Sequence, residues 1–171
     1  MSFKLRPADA TFAAAARKQF TYDFTIAAPA SAVFDTISQP ERLDRWIPDL
    51  RAARWLTTAP HGVGSTREIT LPLITIEERV LVWEPGQRFV FHISRATIPM
   101  LRRMVEDFRL TTQADGGTRV QWTIAYQATA LFAPFERFIY PRYGRIFEEG
   151  SRRLRAHLES SAPSALRDMR G

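Results

Sequence analysis

The sequence predicts an α+β domain in which a curved antiparallel sheet of seven strands packs around one long C-terminal helix, with two short helices after the first strand. Three observations lead to this prediction. Residues 20–26 alternate between apolar and polar side chains, six further strand-like segments follow between residues 51 and 129, and an amphipathic helical pattern closes the chain. A sheet with one apolar face and a helix with one apolar stripe bury both surfaces by packing together.

The first strand and the two short helices are delimited by prolines. Apolar side chains occupy every second position of the strand, at Phe20, Tyr22, Phe24 and Ile26. Pro29 ends this strand and begins a helix, since proline suits the first turn of a helix. Pro40 breaks that helix, and a second short helix is predicted over 41–46.

Six more strands are separated by turn residues. The predicted segments are 51–57, 64–71, 75–84, 87–95, 103–113 and 118–129. Glu84-Pro85-Gly86 and Asp115-Gly116-Gly117 have the composition of hairpin turns. Consecutive hairpins predict an antiparallel meander.

The C-terminal helix carries apolar residues three or four positions apart. They are Ile139, Tyr143, Ile146, Phe147, Gly150, Leu154 and Leu158. Pro141 is predicted in the first turn of this helix, with Arg145 and Arg152 on its solvent side. The domain is expected to span 20–160, after an extension over 1–19 with a short alanine-rich helix and before a flexible tail over 161–171.

Charge and cysteine content limit the function classes. The chain has 24 basic and 18 acidic residues, a net charge of +6, and no cysteine, which excludes disulfides and thiolate chemistry. The basic residues are spread along the chain, so no nucleic-acid partner is expected. No targeting segment and no bilayer-length apolar run is seen, so we expect a cytoplasmic protein without stable membrane insertion.

Motifs for catalysis, metals and cofactors are missing from the sequence. His61, His92 and His157 lie far apart, and no His-Glu-x-x-His motif, glycine-rich phosphate loop or Gly-x-Ser-x-Gly elbow occurs. We therefore expect no metal and no cofactor, and we assign no catalytic residue.

Four polar residues fall on the apolar face of the predicted sheet. Strand alternation places Arg67, Glu78, Glu106 and Tyr126 inward. Buried charges are costly unless paired, so these groups predict either ion pairs or a wet pocket, unless each lies at a strand end that reaches water. Arg67 is the predicted anchor for a ligand carboxylate or carbonyl, and a desolvated Glu78 or Glu106 would have a raised pKa suited to acid–base chemistry.

The same alternation assigns the neighbouring side chains to faces. Phe91 and Phe108 are predicted to point inward with Val82, whereas Trp83 and His92 are predicted to point outward.

Further ligand contacts are predicted on the helix stripe, at Tyr143, Phe147 and Gly150. Glycine inside a helix costs about 1 kcal/mol relative to alanine. Gly150 therefore predicts either a close approach of the helix to the sheet or a void kept for ligand, and the bulk of Tyr143 and Phe147 favours the void.

Several segments, in their order and spacing, resemble one protein family. They read FTIAAPASAVF over 24–34, LDRWIP over 43–48, ERV over 78–80 and WEPGQRF over 83–89. Together they resemble the polyketide cyclase/dehydrase branch of the SRPBCC (START-like) superfamily. The resemblance implies a helix-grip fold with a deep apolar cavity between the sheet and the C-terminal helix, and lipid-, polyketide-, sterol- or quinone-like ligands.

Three function classes remain open at this point. The leading one is non-covalent binding of a hydrophobic small molecule that carries a polar head. The second is an aromatase/cyclase-type enzyme that uses a cavity carboxylate as acid or base. The third is a protein-interaction module, since the apolar loop over 96–103 predicts a lid or a homodimer contact.

Overall fold

The computed structural model describes residues 2–161, and over 136–143 it describes the backbone alone. The strands are β1 (Phe3–Lys4), β2 (Gln19–Ile26), β3 (Ala52–Trp55), β4 (Thr66–Thr70), β5 (Thr75–Glu84), β6 (Arg88–Ala96), β7 (Leu101–Thr112) and β8 (Thr118–Ala128). The helices are α1 (Phe12–Ala15), α2 (Ala30–Ser38) and α3 (Glu136–Ser161), with 3₁₀ helices at Pro40–Arg45 and Ala133–Phe135.

The predicted fold class is confirmed. The sheet has the strand order β2-β8-β7-β6-β5-β4-β3, and each neighbouring pair is antiparallel. Gly86 and Gly116 lie in tight turns with φ of 70° and 80°, a conformation that glycine adopts without strain. We call the face that packs on α2 and α3 the inner face, and the opposite face the outer face.

The helix α3 packs on the inner face in the predicted register. Leu154 and Leu158 are buried, Phe147 is half-buried, and Arg145 and Arg152 are exposed. The prediction for Pro141 is wrong, because α3 begins five residues earlier, at Glu136. The side chain of Tyr143 and the predicted tail beyond Ser161 lie outside the described residues.

A bulge in β5 overturns part of the face assignment. The pairing of β5 with β6 shifts between Val80 and Val82, so the alternation reverses at that point. Val82 packs on the outer face against the cluster that contains Val90, whereas Trp83 contacts Phe34 on the inner side with ring centroids 5.3 Å apart. The outward prediction for Trp83 and the inward one for Val82 are therefore wrong.

The N-terminal extension is packed against the sheet. Ala13 of α1 is buried on the outer face among small and branched side chains, namely Val90, Val105 and Ala125. The paired part of β6 and β7 ends at His92 and Val105. Beyond it, the amide of Leu5 donates to the Ser94 carbonyl and that of Arg6 to the Arg102 carbonyl, both at 2.9 Å. The extension thus fills the gap between the two diverging strands.

Candidate functional site

Three charged side chains lie on the inner face of the sheet, on β4, β5 and β7. Arg67 on β4 lies directly opposite Glu78 on β5, and Glu106 on β7 lies opposite Phe91 on β6. Arg67, Glu78 and Glu106 are all buried. Alternation along each strand predicted these three positions correctly, because β4 and β7 are regular there and the β5 bulge lies beyond Glu78.

Arg67 donates hydrogen bonds to three groups of the protein. Its Nε donates to Glu78 Oε2 at 2.6 Å, and its Nη1 donates to the carbonyls of Ile37 and Ser38 at 2.9 and 2.8 Å. These two carbonyls belong to the last turn of α2, where helical carbonyls lack partners within the helix and the helix dipole is negative. Arg67 thus ties α2 to the sheet through its Nε and Nη1 atoms, and its role as a ligand anchor stays a prediction.

Two neighbouring aromatic rings of β6 contact the same guanidinium. The Cζ atom of Arg67 lies 5.1 Å from the ring centroid of Phe89 and 5.0 Å from that of Phe91. Cation–π contact of this kind is favourable for a desolvated guanidinium. Burial raises the pKa of Glu78, while the charge and hydrogen bond of Arg67 act in the opposite direction. The predicted ion pair between Arg67 and one carboxylate is confirmed.

Glu106 is buried without a cation bonded to it. The indole Nε1 of Trp122 donates to Glu106 Oε2 at 3.0 Å. Burial, together with the nearby charge of Glu78, raises the pKa of Glu106 to about 8, against the opposing effects of Trp122 and Arg67. Glu106 is therefore mostly protonated at neutral pH, and its second oxygen has no hydrogen bond among the described residues. A neutral carboxyl group has one O–H to donate.

Stacked aromatic rings form the surroundings of Glu106. Phe108 and Trp122 stack with centroids 4.8 Å apart, and Trp46 and Phe147 meet Trp122 edge-on at 5.7 and 5.4 Å. Phe91 and Phe108 point inward as predicted, and both are buried. Aromatic walls around one polar group are typical of small-molecule sites.

Sequence reasoning did not pair Trp122 with Glu106. The signal lay in the strand register, since Glu106 is opposite Ile124 on β8 and Trp122 is the diagonal neighbour two residues away. Diagonal cross-strand neighbours are within reach of a long aromatic side chain. Tyr126, the fourth predicted polar residue, is half-buried and stacks on Phe20 with centroids 6.1 Å apart.

Gly150 lies where α3 passes over two tryptophans. A Cβ atom at this position would be 3.7 Å from the Trp46 ring and 3.8 Å from the Trp122 ring. These are ordinary van der Waals distances, and larger side chains would overlap the rings. These distances favour a close approach of the helix to the rings over a void beside Gly150, and a ligand contact at Gly150 stays a prediction.

The described part of the chain shows neither a candidate metal cluster nor a candidate membrane-spanning helix. It contains no group of three or more His, Asp or Glu side chains placed to hold a metal ion. None of its described helices is both long and apolar enough to cross a bilayer.

Solved structures of low sequence identity share this architecture. A START superfamily protein from Mycobacterium smegmatis has a TM-score of 0.69 at 13% identity, covering 84% of this chain and 99% of that one. A protein from Thermus thermophilus has a TM-score of 0.67 at 16% identity, covering 85% and 100%. The ginseng (Panax ginseng) major latex-like protein 151 has a TM-score of 0.66 at 12% identity, covering 82% and 97%.

Sequence comparison identifies the family more directly than structural likeness at this identity. No curated protein matches the chain. The family described as polyketide cyclase/dehydrase and lipid transport matches residues 17–159, which is most of the chain and begins just after α1. The chain therefore belongs to the polyketide cyclase/dehydrase and lipid transport family.

Proposed function

We propose that the protein binds a hydrophobic small molecule, lipid-, polyketide- or quinone-like, whose oxygen atom accepts a hydrogen bond from Glu106. The observation that carries this proposal is the geometry of the buried Glu106 carboxyl group, with one oxygen held by Trp122 and the other without a hydrogen bond among the described residues. Burial raises its pKa to about 8, which favours the protonated form at neutral pH. A carboxyl group kept neutral in an aromatic enclosure is a directed donor for a carbonyl or hydroxyl oxygen.

The neighbouring Arg67–Glu78 pair supports a neutral oxygen as the group that the site recognises. The Arg67–Glu78 pair is already neutralised internally and has its strongest contacts within the protein. An anionic head would meet the Glu78 carboxylate without a free cation to balance it. A ketone, quinone or alcohol head therefore suits the site better than a carboxylate.

Half-buried apolar side chains next to Glu106 mark the side from which a ligand would enter. Met104 lies two residues before Glu106 on β7, on the same face of the sheet, and is opposite Tyr126 on β8. The side chains of Met104 and Tyr126 are half-buried. Phe20 and Phe147 are half-buried beside them, with centroids 5.8 Å apart. Side chains that are neither fully packed nor exposed are those that a bound apolar ligand would cover. Tyr143 and Gly150 remain predicted contacts on α3.

Two variants of Glu106 test this proposal. Binding of the quinone menadione is followed by quenching of tryptophan fluorescence, since Trp46 and Trp122 lie at the site. Glu106→Gln keeps a donor and should bind within a few-fold of wild type, whereas Glu106→Leu should bind at least about tenfold more weakly. Glu84→Gln, at an exposed position, is the matched control and should behave as wild type.

Two further outcomes distinguish a true ligand site from general hydrophobic adsorption. Native mass spectrometry of freshly purified protein should show a co-purified apolar molecule, which Glu106→Leu loses. Wild-type affinity for menadione should fall as the pH passes about 8, because the ionised carboxylate repels a carbonyl oxygen. Equal menadione affinity in Glu106→Leu and wild type would contradict the proposal.

The same carboxyl group suits a second candidate function, an aromatase/cyclase-type enzyme. A pKa of about 8 is close to the working pH, the condition under which a side chain exchanges protons most effectively with a bound substrate. In that case Glu106→Gln would retain ligand binding and lose turnover of a polyketide-like substrate. A pure binding protein shows no turnover in either form.

A further inference from the structure

The connections between strands meet at one end of the sheet, which we call the α3-start end. It comprises the β4–β5 turn over 71–74, the β6–β7 loop over 97–100 and the segment over 129–135 that leads into α3. The first two are joined by the amide of Thr97, which donates to the Thr75 carbonyl at 3.0 Å. The last two are joined by Thr129, whose amide and hydroxyl donate to the carbonyls of Met100 and Pro99 at 3.0 and 2.9 Å.

Large apolar side chains project into solvent from this end. Leu73 is 85% exposed, Leu131 is 69% exposed and Phe135 is 55% exposed. Phe3, also exposed, lies beside them because β1 pairs Phe3 with Ala96 at the end of β6. Single exposed leucines are ordinary, but four large exposed apolar side chains at one end of the sheet, three on connections and one on β1, are typical of an interaction site.

Basic side chains lie at the same end of the sheet. Lys4 and Arg6 on the N-terminal segment are exposed, and Arg102 at the start of β7 is partly exposed. The chain as a whole carries a net charge of +6. Apolar tips and cations at one end complement a bilayer of anionic lipids, in which the tips enter the interfacial region and the cations contact the headgroups.

We propose that the α3-start end docks reversibly onto an anionic lipid bilayer. A second copy of the chain fits this surface less well, because the tips stand on separate connections and two copies would bring like charges together. Docking by loop tips differs from insertion of a spanning helix. The proposal goes beyond ligand binding and does not depend on it, although Met104 and Tyr126, at the suggested ligand entrance, lie near the same ends of β7 and β8.

The opposite end of the sheet supplies a matched control. Leu56 and Val63 are also exposed, but they lie between the end of β3 and the start of β4, away from the α3-start end. The experiment is flotation of the full chain with vesicles of phosphatidylcholine alone, or with about 30 mol% phosphatidylserine to give a negative surface. The compared proteins are wild type, the pair Leu73→Ser with Leu131→Ser, the pair Leu56→Ser with Val63→Ser, and the pair Lys4→Glu with Arg6→Glu.

Wild type should float with the phosphatidylserine vesicles and not with phosphatidylcholine alone, and binding should weaken with added salt. The Leu73/Leu131 pair should bind at least about tenfold more weakly, and the Lys4/Arg6 pair about tenfold more weakly, because each removes part of the apolar or ionic attraction. The Leu56/Val63 pair should bind as wild type. Circular dichroism melting confirms that each variant is folded, and these substitutions are at exposed positions.

Three outcomes would overturn the proposal. One is that the wild-type protein fails to float with anionic vesicles at low salt. Another is an equal loss of binding in the Leu56/Val63 control, which would indicate non-specific adsorption. The third is light scattering that shows a wild-type dimer converted to a monomer by the Leu73/Leu131 pair without change in flotation, which would assign the surface to a second copy. Failure of docking leaves menadione binding at Glu106 unaffected, so the two proposals are tested separately.

Discussion

Two buried glutamates on the inner face, Glu78 and Glu106, differ in what the fold provides for them. Glu78 lies 2.6 Å from the Arg67 guanidinium, which also bonds the last carbonyls of α2. Among the described residues, Glu106 accepts a hydrogen bond only from the indole N–H of Trp122, and its pKa is raised to about 8. The comparison indicates that a buried carboxylate with a cation partner ties elements together, whereas a buried carboxyl without one stays neutral and retains a donor for a ligand.

The largest expected effect on stability comes from removing Arg67, the cation that pairs with Glu78. Arg67→Met leaves the Glu78 carboxylate buried without a partner and frees the carbonyls of Ile37 and Ser38. We expect the free energy of unfolding, measured with urea, to fall by about 3–5 kcal/mol. The pKa of Glu106 should rise further, because the charge of Arg67 helps to lower it.

An exposed ion pair provides the control for this experiment. Arg54 and Glu68 pair at 2.9 Å on neighbouring strands, but the Arg54 side chain is 67% exposed. Arg54→Met should therefore cost no more than about 1 kcal/mol. The double variant Arg67→Met with Glu78→Met should recover much of the loss, since both buried charges are removed. Equal small effects of Arg67→Met and Arg54→Met would show that the buried pair does not tie α2 to the sheet.

The next effect in size is a pH dependence of folding stability that arises from Glu106. The pKa of Glu106 is about 8 in the folded protein and about 4.3 for an unfolded chain. Between these values the folded state holds a proton that the unfolded state has released, so stability is greatest at low pH and falls as the pH rises towards 8. At about 1.4 kcal/mol per pKa unit, we expect a loss of about 3–4 kcal/mol between about pH 5 and pH 8.

Subtracting a variant that cannot titrate isolates this effect from other groups. Glu106→Gln should gain stability relative to wild type by the same amount over that pH range, as measured by urea unfolding at each pH. Glu84→Gln, at an exposed position, should follow the wild-type curve. Parallel curves for wild type and Glu106→Gln would mean that Glu106 is ionised in the folded state, and the proposed donor would be lost.

The smallest effect on stability concerns α3 at Gly150, where the helix packs on the rings of Trp46 and Trp122. Gly150→Leu should destabilise the protein by roughly 1–3 kcal/mol, because its side chain overlaps the rings of Trp46 and Trp122. Gly150→Ala should raise the melting temperature, since a Cβ fits at 3.7 Å and alanine is favoured in helices by roughly 1 kcal/mol. Gly144→Ala is the comparison, because the new Cβ would lie only 3.3 Å from Phe20. Its melting temperature should therefore rise by less than that of Gly150→Ala. A stable Gly150→Leu variant would restore the void explanation.

Prediction from the sequence succeeded where a property was local. The inward positions of Arg67, Glu78 and Glu106 followed from strand alternation, which depends only on neighbouring residues. It failed at Trp83, because the bulge after Val80 is a feature of pairing with β6. It also failed at Pro141, because α3 begins at Glu136 and its backbone continues through Pro141, although proline usually lies in the first turn of a helix.

Local pattern was enough to specify the strands, the hairpins, the helix stripe and the presence of acidic groups on the inner face, because these depend on periodicity and turn chemistry. Which glutamate is paired depended on the tertiary structure. Arg67 meets Glu78 through the β4–β5 register and reaches α2 carbonyls about 30 residues earlier in the chain, as the separations of 30 and 29 residues show. Glu106 lies on the far side of β6 from Glu78, and within the described part of the chain it accepts a hydrogen bond only from the Trp122 indole. Periodicity assigns a side chain to a face, but its partner and its pKa depend on non-local contacts that set burial and charge.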